Sequence, residues 1–345
     1  MPHQPPTTAD ERWMRRALEL AARGPQADPN PRVGCVLVDP GNDSEVAAGV
    51  HRGAGTPHAE ADALAAAGDR ARGCTAYVSL EPCSHTGRTG PCTEALAAAG
   101  VTRVVHGASD PNPAARGGAD ILRAHGIEVV SGVLAADAER LNEPWRFAVT
   151  EGRPMVTWKF AASLDGRSAA ADGTSQWLTG PEARADVHRQ RAECGAILVG
   201  TGTAVADDPQ LTVRDQDGHP VGRQPLRVVA GLRDLPAGAR LFDETAETLH
   251  LRTRDPHEVL AELHRRQVRQ VWLEGGPTLA AAFWRARLID RVICYFAPVM
   301  LGSGSAAVTD FGITTLADAP RFTLHGLTRL GDDVRADYRP VQEGI

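Results

Sequence analysis

Pro57-His58-Ala59-Glu60, taken together with Pro82-Cys83 and Cys92, is the stretch around which the rest of the chain is organised. One imidazole and two thiols make three nitrogen and sulfur ligands, the number a catalytic zinc takes when it keeps a fourth position for water. Glu60 stands two residues past the histidine, a carboxylate able to carry that water's proton. Thr56-Pro57 opens a helix, with a hydroxyl cap and proline at the first position. His58 and Glu60 then fall in its first turn. In mid-helix a spacing of two would point them apart, so both serve one metal only at this frayed end.

Outward from that stretch, residues 76–80 read as a strand that delivers Cys83 to its C-terminal edge. Upstream, Thr8-Ala9-Asp10-Glu11 reads as a capping box with Thr8 at the cap. The helix it starts runs to about Arg23, with Met14, Leu18 and Ala21 inward. Residues 33–38 form a buried strand, joined across Pro40-Gly41-Asn42-Asp43 to a second at 46–50. Residues 93–99 are helical, Gly100 stops them, and 101–106 form the next strand. Alternating strands and helices with short links predict an α/β/α layered domain. A composition shift between Asn142 and Pro154 marks a boundary, dividing the chain into domains at 1–147 and 153–345. Strands at 155–160, 196–199, 226–229, 271–274 and 292–300 make the second half α/β as well.

Length and composition narrow the function classes. A chain of 345 residues is long for one core. Its net charge of −6 supplies no basic field for a nucleic-acid backbone, which favours a small substrate. A small phosphorylated molecule needs only a local basic pocket. The start, Met1-Pro2-His3-Gln4-Pro5-Pro6, lacks the apolar core of a signal peptide, and no 18-residue apolar run occurs. The expectation is a cytoplasmic protein with no membrane partner. Six cysteines are too sparse for a disulfide framework, and Cys35, Cys74, Cys194 and Cys294 read as buried thiols.

The order His-x-Glu, then Pro-Cys and a further Cys, is that of the zinc deaminases, where the glutamate is general acid and base rather than ligand. Eight residues separate Cys83 from Cys92, where the short form of the signature has two. A closed structural site completed by His85 is the competing reading, but it leaves Glu60 and Pro82 without a purpose. His85 is otherwise a loop residue near the substrate mouth. In the second half no G-x-G-x-x-G follows a strand. Gly275-Gly276-Pro277-Thr278 does lie between a strand and a helix, where backbone N–H groups favour a phosphate. Gly200-Thr201-Gly202-Thr203 is a second such loop.

Longer motifs carry a resemblance. Residues 29–36, Pro57-His58-Ala59-Glu60, the run from Leu80 to Cys92, and 108–113 resemble the bifunctional riboflavin-biosynthesis deaminase/reductase family. So do residues 159–167, Ser175-Gln176-Trp177, 206–209, 211–214 and 274–279. The long cysteine spacing is that family's own. The resemblance implies a cytidine-deaminase-like α/β/α domain followed by a dihydrofolate-reductase-like α/β domain. It implies zinc-dependent hydrolytic deamination of 2,5-diamino-6-ribosylamino-4(3H)-pyrimidinone 5′-phosphate, then NADPH reduction of the ribosyl to the ribityl group.

By family position His58, Cys83 and Cys92 hold Zn2+, Glu60 is catalytic, and Asn30 lies near the pyrimidine. Ala161, Trp177, Thr203, Asp207, Gly276, Pro277, Thr278, Leu279, Ala280, Ala281 and Ala282 contact NADPH. Lys159, Ser175, Arg191, Leu211, Arg214 and Glu274 contact the ribosyl-phosphate substrate, the two arginines as natural phosphate partners. The family also implies a homo-oligomer. Leu232 stands where relatives tend to carry a small polar residue. Three alternatives stay open on the residues alone: a deaminase whose second domain does not reduce, a nucleic-acid-editing protein, and a zinc-stabilised scaffold.

Overall fold

The computed structural model describes residues 6–85, 90–309 and 311–341. The first five residues and residues 86–89, the centre of the Leu80-to-Cys92 motif, lie outside them. The chain divides into two compact units, Met1–Gly152 and Arg153–Ile345.

The first unit runs α1 (Thr8–Ala21), β1 (Gly34–Asp39), β2 (Ser44–Val50), α2 (Ala59–Ala67), β3 (Thr75–Leu80), α3 (Cys92–Ala98), β4 (Arg103–Ala108), α4 (Gly118–Ala124), β5 (Glu128–Ser131), α5 (Ala135–Leu141) and α6 (Glu143–Glu151). Its sheet has the order β2-β1-β3-β4-β5, antiparallel through β2, β1 and β3 and parallel from β3 to β5. Alternation at period two splits each central strand between two cores. Cys35, Leu37, Ala76 and Val78 face the core against α2, whereas Val36, Val38 and Tyr77 face Met14, Ala17 and Leu20 of α1. Helices on both faces make the expected α/β/α layering. α2 lies so close to the sheet that a Cβ on Gly49 would stand 2.1 Å from the Ala59 carbonyl oxygen.

Two readings need correction. The cap of α1 is Thr7, not Thr8. Its hydroxyl accepts the Asp10 N–H at 3.1 Å and the Asp10 carboxylate accepts the Thr7 N–H at 2.9 Å. The box closes on Asp10 because that carboxylate is drawn inward to Tyr77 and Arg103. Glu11 stays outside and pairs with Arg15. The cap of α2 is His58, not Thr56, whose hydroxyl donates instead to the Gly53 carbonyl. The stretch expected as a boundary carries helix α6. With Pro144 in its first turn, it buries Trp145 in the first core and is capped by Gly152 at φ +67°.

The second unit runs β6 (Met155–Ser163), α7 (Pro181–Ala192), β7 (Ala196–Gly200), α8 (Thr201–Asp207), β8 (Leu226–Ala230), β9 (Thr248–Leu251), α9 (Pro256–Arg265), β10 (Gln270–Leu273), α10 (Pro277–Arg285), β11 (Arg291–Ala297), β12 (Phe322–Leu330) and β13 (Asp333–Pro340). The sheet order is β12-β13-β11-β6-β10-β7-β8-β9, parallel from β11 to β9, with the terminal hairpin antiparallel on β11. The predicted Gly200-to-Thr203 loop is the first turn of α8. Alternate residues again serve two cores, Val271 and Leu273 on one face and Trp272 on the other. In a parallel sheet the strand ends collect at one edge, and ligand sites form there.

Candidate active sites

In the first unit three chain segments converge. His58 has extended backbone, φ −68° and ψ 158°, and caps α2 without a side-chain bond to it, which leaves the ring free to turn toward the cysteines. Cys83 follows β3 by three residues, and Cys92 is the first residue of α3. His58 Nδ1 lies 3.3 Å from Cys92 Sγ and 3.6 Å from Cys83 Sγ, and the Cys92 N–H donates to Cys83 Sγ at 3.5 Å. The three ligand atoms lie within 4.8 Å of one another, with both thiols buried. The pairing with Cys92, helped by His58, holds the Cys83 thiol well below its ordinary range and drives that of Cys92 up. One nitrogen and two soft sulfurs, buried and convergent, fit zinc with one open position. Glu60, 4% exposed, is two residues along. Burial pushes its carboxyl up to about 7, aided by the charge of Cys83 and opposed by His58.

The supports of this site were mostly invisible in the sequence. His51, a buried histidine just past β2, places Nδ1 3.0 Å from the Pro57 carbonyl oxygen and Nε2 3.1 Å from Asn30 Nδ2. A carbonyl only accepts, so Nδ1 carries the proton and Nε2 accepts from the Asn30 amide. The Asn30 Oδ1 is thereby turned away from His51. Glu81 accepts the N–H groups of Asp110 and Ala119 at 3.2 and 3.0 Å, pinning the start of α4 beside the Cys83 turn. The approach is so close that a Cβ on Gly118 would sit 1.9 Å from the Pro82 carbonyl oxygen. Burial raises the Asp110 carboxyl to about 6, while His85 draws it the other way.

In the second unit a charged cluster forms where β10 ends beside the middle of β6. Leu273 pairs with Trp158, so Glu274 and Lys159 come next to each other on parallel strands. Arg191 of α7 grips Glu274 through Nε at 2.7 Å and Nη2 at 2.6 Å, and gives Nη1 to the Thr212 carbonyl at 3.0 Å. Burial raises the Glu274 carboxyl, but Arg191, Lys159 and the Trp272 N–H overcome it and bring it to about 2. Burial lowers the Lys159 ammonium, with Glu274 opposing and Arg191 assisting. Arg214 feels the same charges: burial and Arg191 lower it, and Glu274 opposes. Three cations around one carboxylate leave a positive excess suited to a phosphate.

The other predicted contacts divide. Gly276 caps α10 and gives its N–H to the Thr203 hydroxyl at 3.0 Å, bringing those two together. The helix N-terminus after Gly275-Gly276 suits a phosphate-bearing cofactor. Pro277, Thr278 and Leu279 form its first turn, whereas Ala280 and Ala281 are packed into the core, with Ala282 beyond them. Ala161 lies on β6 opposite Tyr295, and Leu211 is buried at φ +48°. Asp207 ends α8, its carboxyl raised by burial. Ser175 and Trp177 lie on an exposed segment. The Trp177 ring packs under the Arg184 guanidinium at 5.0 Å and lines an open groove of about 630 Å³ with Pro298 and Arg329.

Two family models match the chain. Residues 7–108 match the cytidine and deoxycytidylate deaminase zinc-binding region, and residues 154–336 match the RibD C-terminal domain. The riboflavin biosynthesis protein RibD of Mycobacterium tuberculosis is 49% identical over 89% of this chain and 90% of its own. Among solved structures, Acinetobacter baumannii RibD superposes with a TM-score of 0.89 at 41% identity, covering 97% of this chain and 99% of that one. The Thermotoga maritima diaminohydroxyphosphoribosylaminopyrimidine deaminase/5-amino-6-(5-phosphoribosylamino)uracil reductase gives 0.86 at 33% identity, covering 96% and 99%.

Proposed function

The chain belongs to the family of the riboflavin biosynthesis protein RibD, bifunctional enzymes with a zinc-binding deaminase domain and an NADPH-dependent reductase domain, and from that premise we propose what its own residues do. The substrate is the diaminopyrimidine ribosyl phosphate, deaminated in the first unit and reduced in the second. The observation that carries the reading is the convergence of His58, Cys83 and Cys92 beside buried Glu60.

When bound to these three donors, zinc makes water a nucleophile near neutral pH. Glu60 takes the proton released there and returns it to the departing amine, a role suited to a carboxyl raised by burial. Asn30, its amide held by His51, offers Oδ1 to a donor on the pyrimidine ring. In the second unit, bound NADPH supplies the two electrons of the reduction. Arg191 and Arg214 hold the substrate phosphate, Lys159 and Glu274 orient the ribosyl group, and the α10 N-terminus with Thr203 holds the cofactor's phosphates.

No helix among the described residues is long and apolar enough to cross a membrane. A cytoplasmic location and a homo-oligomer complete the proposal. The second rests on β12, an edge strand that exposes Phe322, Leu324 and Leu327, and light scattering of the purified chain tests it.

Mass spectrometry of products formed with and without NADPH tests the function. Exchange of amine for carbonyl is expected without NADPH, and gain of two hydrogens only with it. Deamination never followed by reduction would leave a second unit that does not reduce. No change in a zinc-loaded sample would overturn the substrate.

A further inference from the structure

Helix α7 turns two side chains, three residues apart and so on one face, onto a single short segment. Arg191 gives Nη1 to the Thr212 carbonyl at 3.0 Å, and the Arg214 backbone N–H donates to His188 Nδ1 at 3.2 Å. Immediately before them the segment passes through Leu211 at φ +48°, a left-handed conformation that a leucine holds only when its surroundings impose it. We propose that His188 is a positioning residue of the reductase site, whose Nδ1 clamps the Arg214 backbone so that the Arg214 guanidinium enters the substrate pocket at a fixed height. The proposal rests on the reading of Arg191 and Arg214 as partners of the substrate phosphate.

Two further observations support it. Among the described residues, Nη1 of the Arg214 guanidinium donates to Gln210 Oε1 at 2.9 Å, while Nε is buried without a partner. A buried donor of that kind calls for an acceptor, and a phosphate oxygen is one. His188 must be neutral to accept at Nδ1. Burial, Arg191 and Arg214 keep it so against the opposing pull of Glu274 and the Thr212 carbonyl. Nothing in the sequence set His188 apart from a solvated helix residue.

The test uses the full chain with NADPH and the deaminated pyrimidine ribosyl phosphate, comparing His188→Ala, His188→Gln and His188→Asn. Asparagine places an acceptor oxygen close to the position of Nδ1, glutamine places one nearer Nε2, and alanine places none. Loss of the clamp removes the acceptor of the part-buried Arg214 N–H. The expected result is a KM for the pyrimidine raised about tenfold by Ala and Gln, with kcat and the KM for NADPH within about twofold. Asn stays within about threefold of the parent. Equal pyrimidine KM in all four proteins would overturn the proposal, and so would equal loss in all three variants together with a raised KM for NADPH. Calorimetric titration with inorganic phosphate reads the same order without turnover. A parent chain that oxidises no NADPH sinks the reductase reading, while the phosphate series still decides His188.

Discussion

Two glutamates, one in each unit, are both pushed upward by burial and end in opposite states. Burial drives the Glu60 carboxyl up to about 7, with the charge of Cys83 adding to it and His58 pulling against it. Glu274 is gripped by Arg191, with Lys159 and the Trp272 N–H beside it, and falls to about 2. Burial raises both, so the partners decide the outcome. The first carboxyl is poised to take and return a proton. The second is a fixed anion around which cations are ordered. On the proposed assignment, the deaminase step turns on a carboxyl that titrates near neutrality, and the reductase cluster is ordered by one that stays ionised.

The largest effect that would test this contrast is at Glu60. Glu60→Gln is expected to cut deamination on the order of 10³-fold, with zinc content by metal analysis unchanged and reduction of deaminated substrate at the parent rate. A variant that deaminates normally would erase the contrast. Stripping zinc with a chelator is expected to abolish deamination and leave that reduction intact, because no reductase residue named here belongs to the metal site.

Next comes Glu274→Gln, which leaves Arg191 and Lys159 without their anion. The second unit should lose about 3 kcal/mol in urea unfolding, with a raised KM for the pyrimidine. A loss below about 1 kcal/mol would deny Glu274 its ordering role. The pH dependence follows from the direction of its shift. The folded carboxyl titrates near 2 and the unfolded one at its ordinary value of ~4.3, so the unfolded state binds the proton more readily. The stability contributed is complete above pH ~4.5 and drains as pH falls toward 2. The variant's difference from the parent should shrink across that window, read by unfolding at stepped pH.

The smallest effect separates two adjacent threonines. Thr7→Ala should cost about 1 kcal/mol of first-unit stability and Thr8→Ala no more than a few tenths. The reverse order would restore the capping box at Thr8.

The deaminase centre was the more legible of the two because its chemistry is local in sequence. His58 and Glu60 are two residues apart, and Cys83 and Cys92 flank one loop, so residue type and spacing suffice to name the metal. Its supports were not legible. His51 is a lone histidine at the end of a strand, and Glu81 looks like any acid before a proline. In the second unit Arg191 and Glu274 stand 83 residues apart. The family resemblance named both, but no pattern in the chain says that they touch. The Thr7 cap was missed by one residue because Asp10 is chosen by Arg103, far along the chain.

What the sequence determined by itself is the α/β alternation, the zinc donor set and the family, since each is written in residue type and short-range order. The tertiary structure alone decided which glutamate titrates, which way Asn30 turns its amide, and what holds Arg214 in place. The physical reason is that a charge, a proton or a hydrogen bond answers to whatever lies within a few ångströms, and those neighbours come together only when distant strands and helices pack.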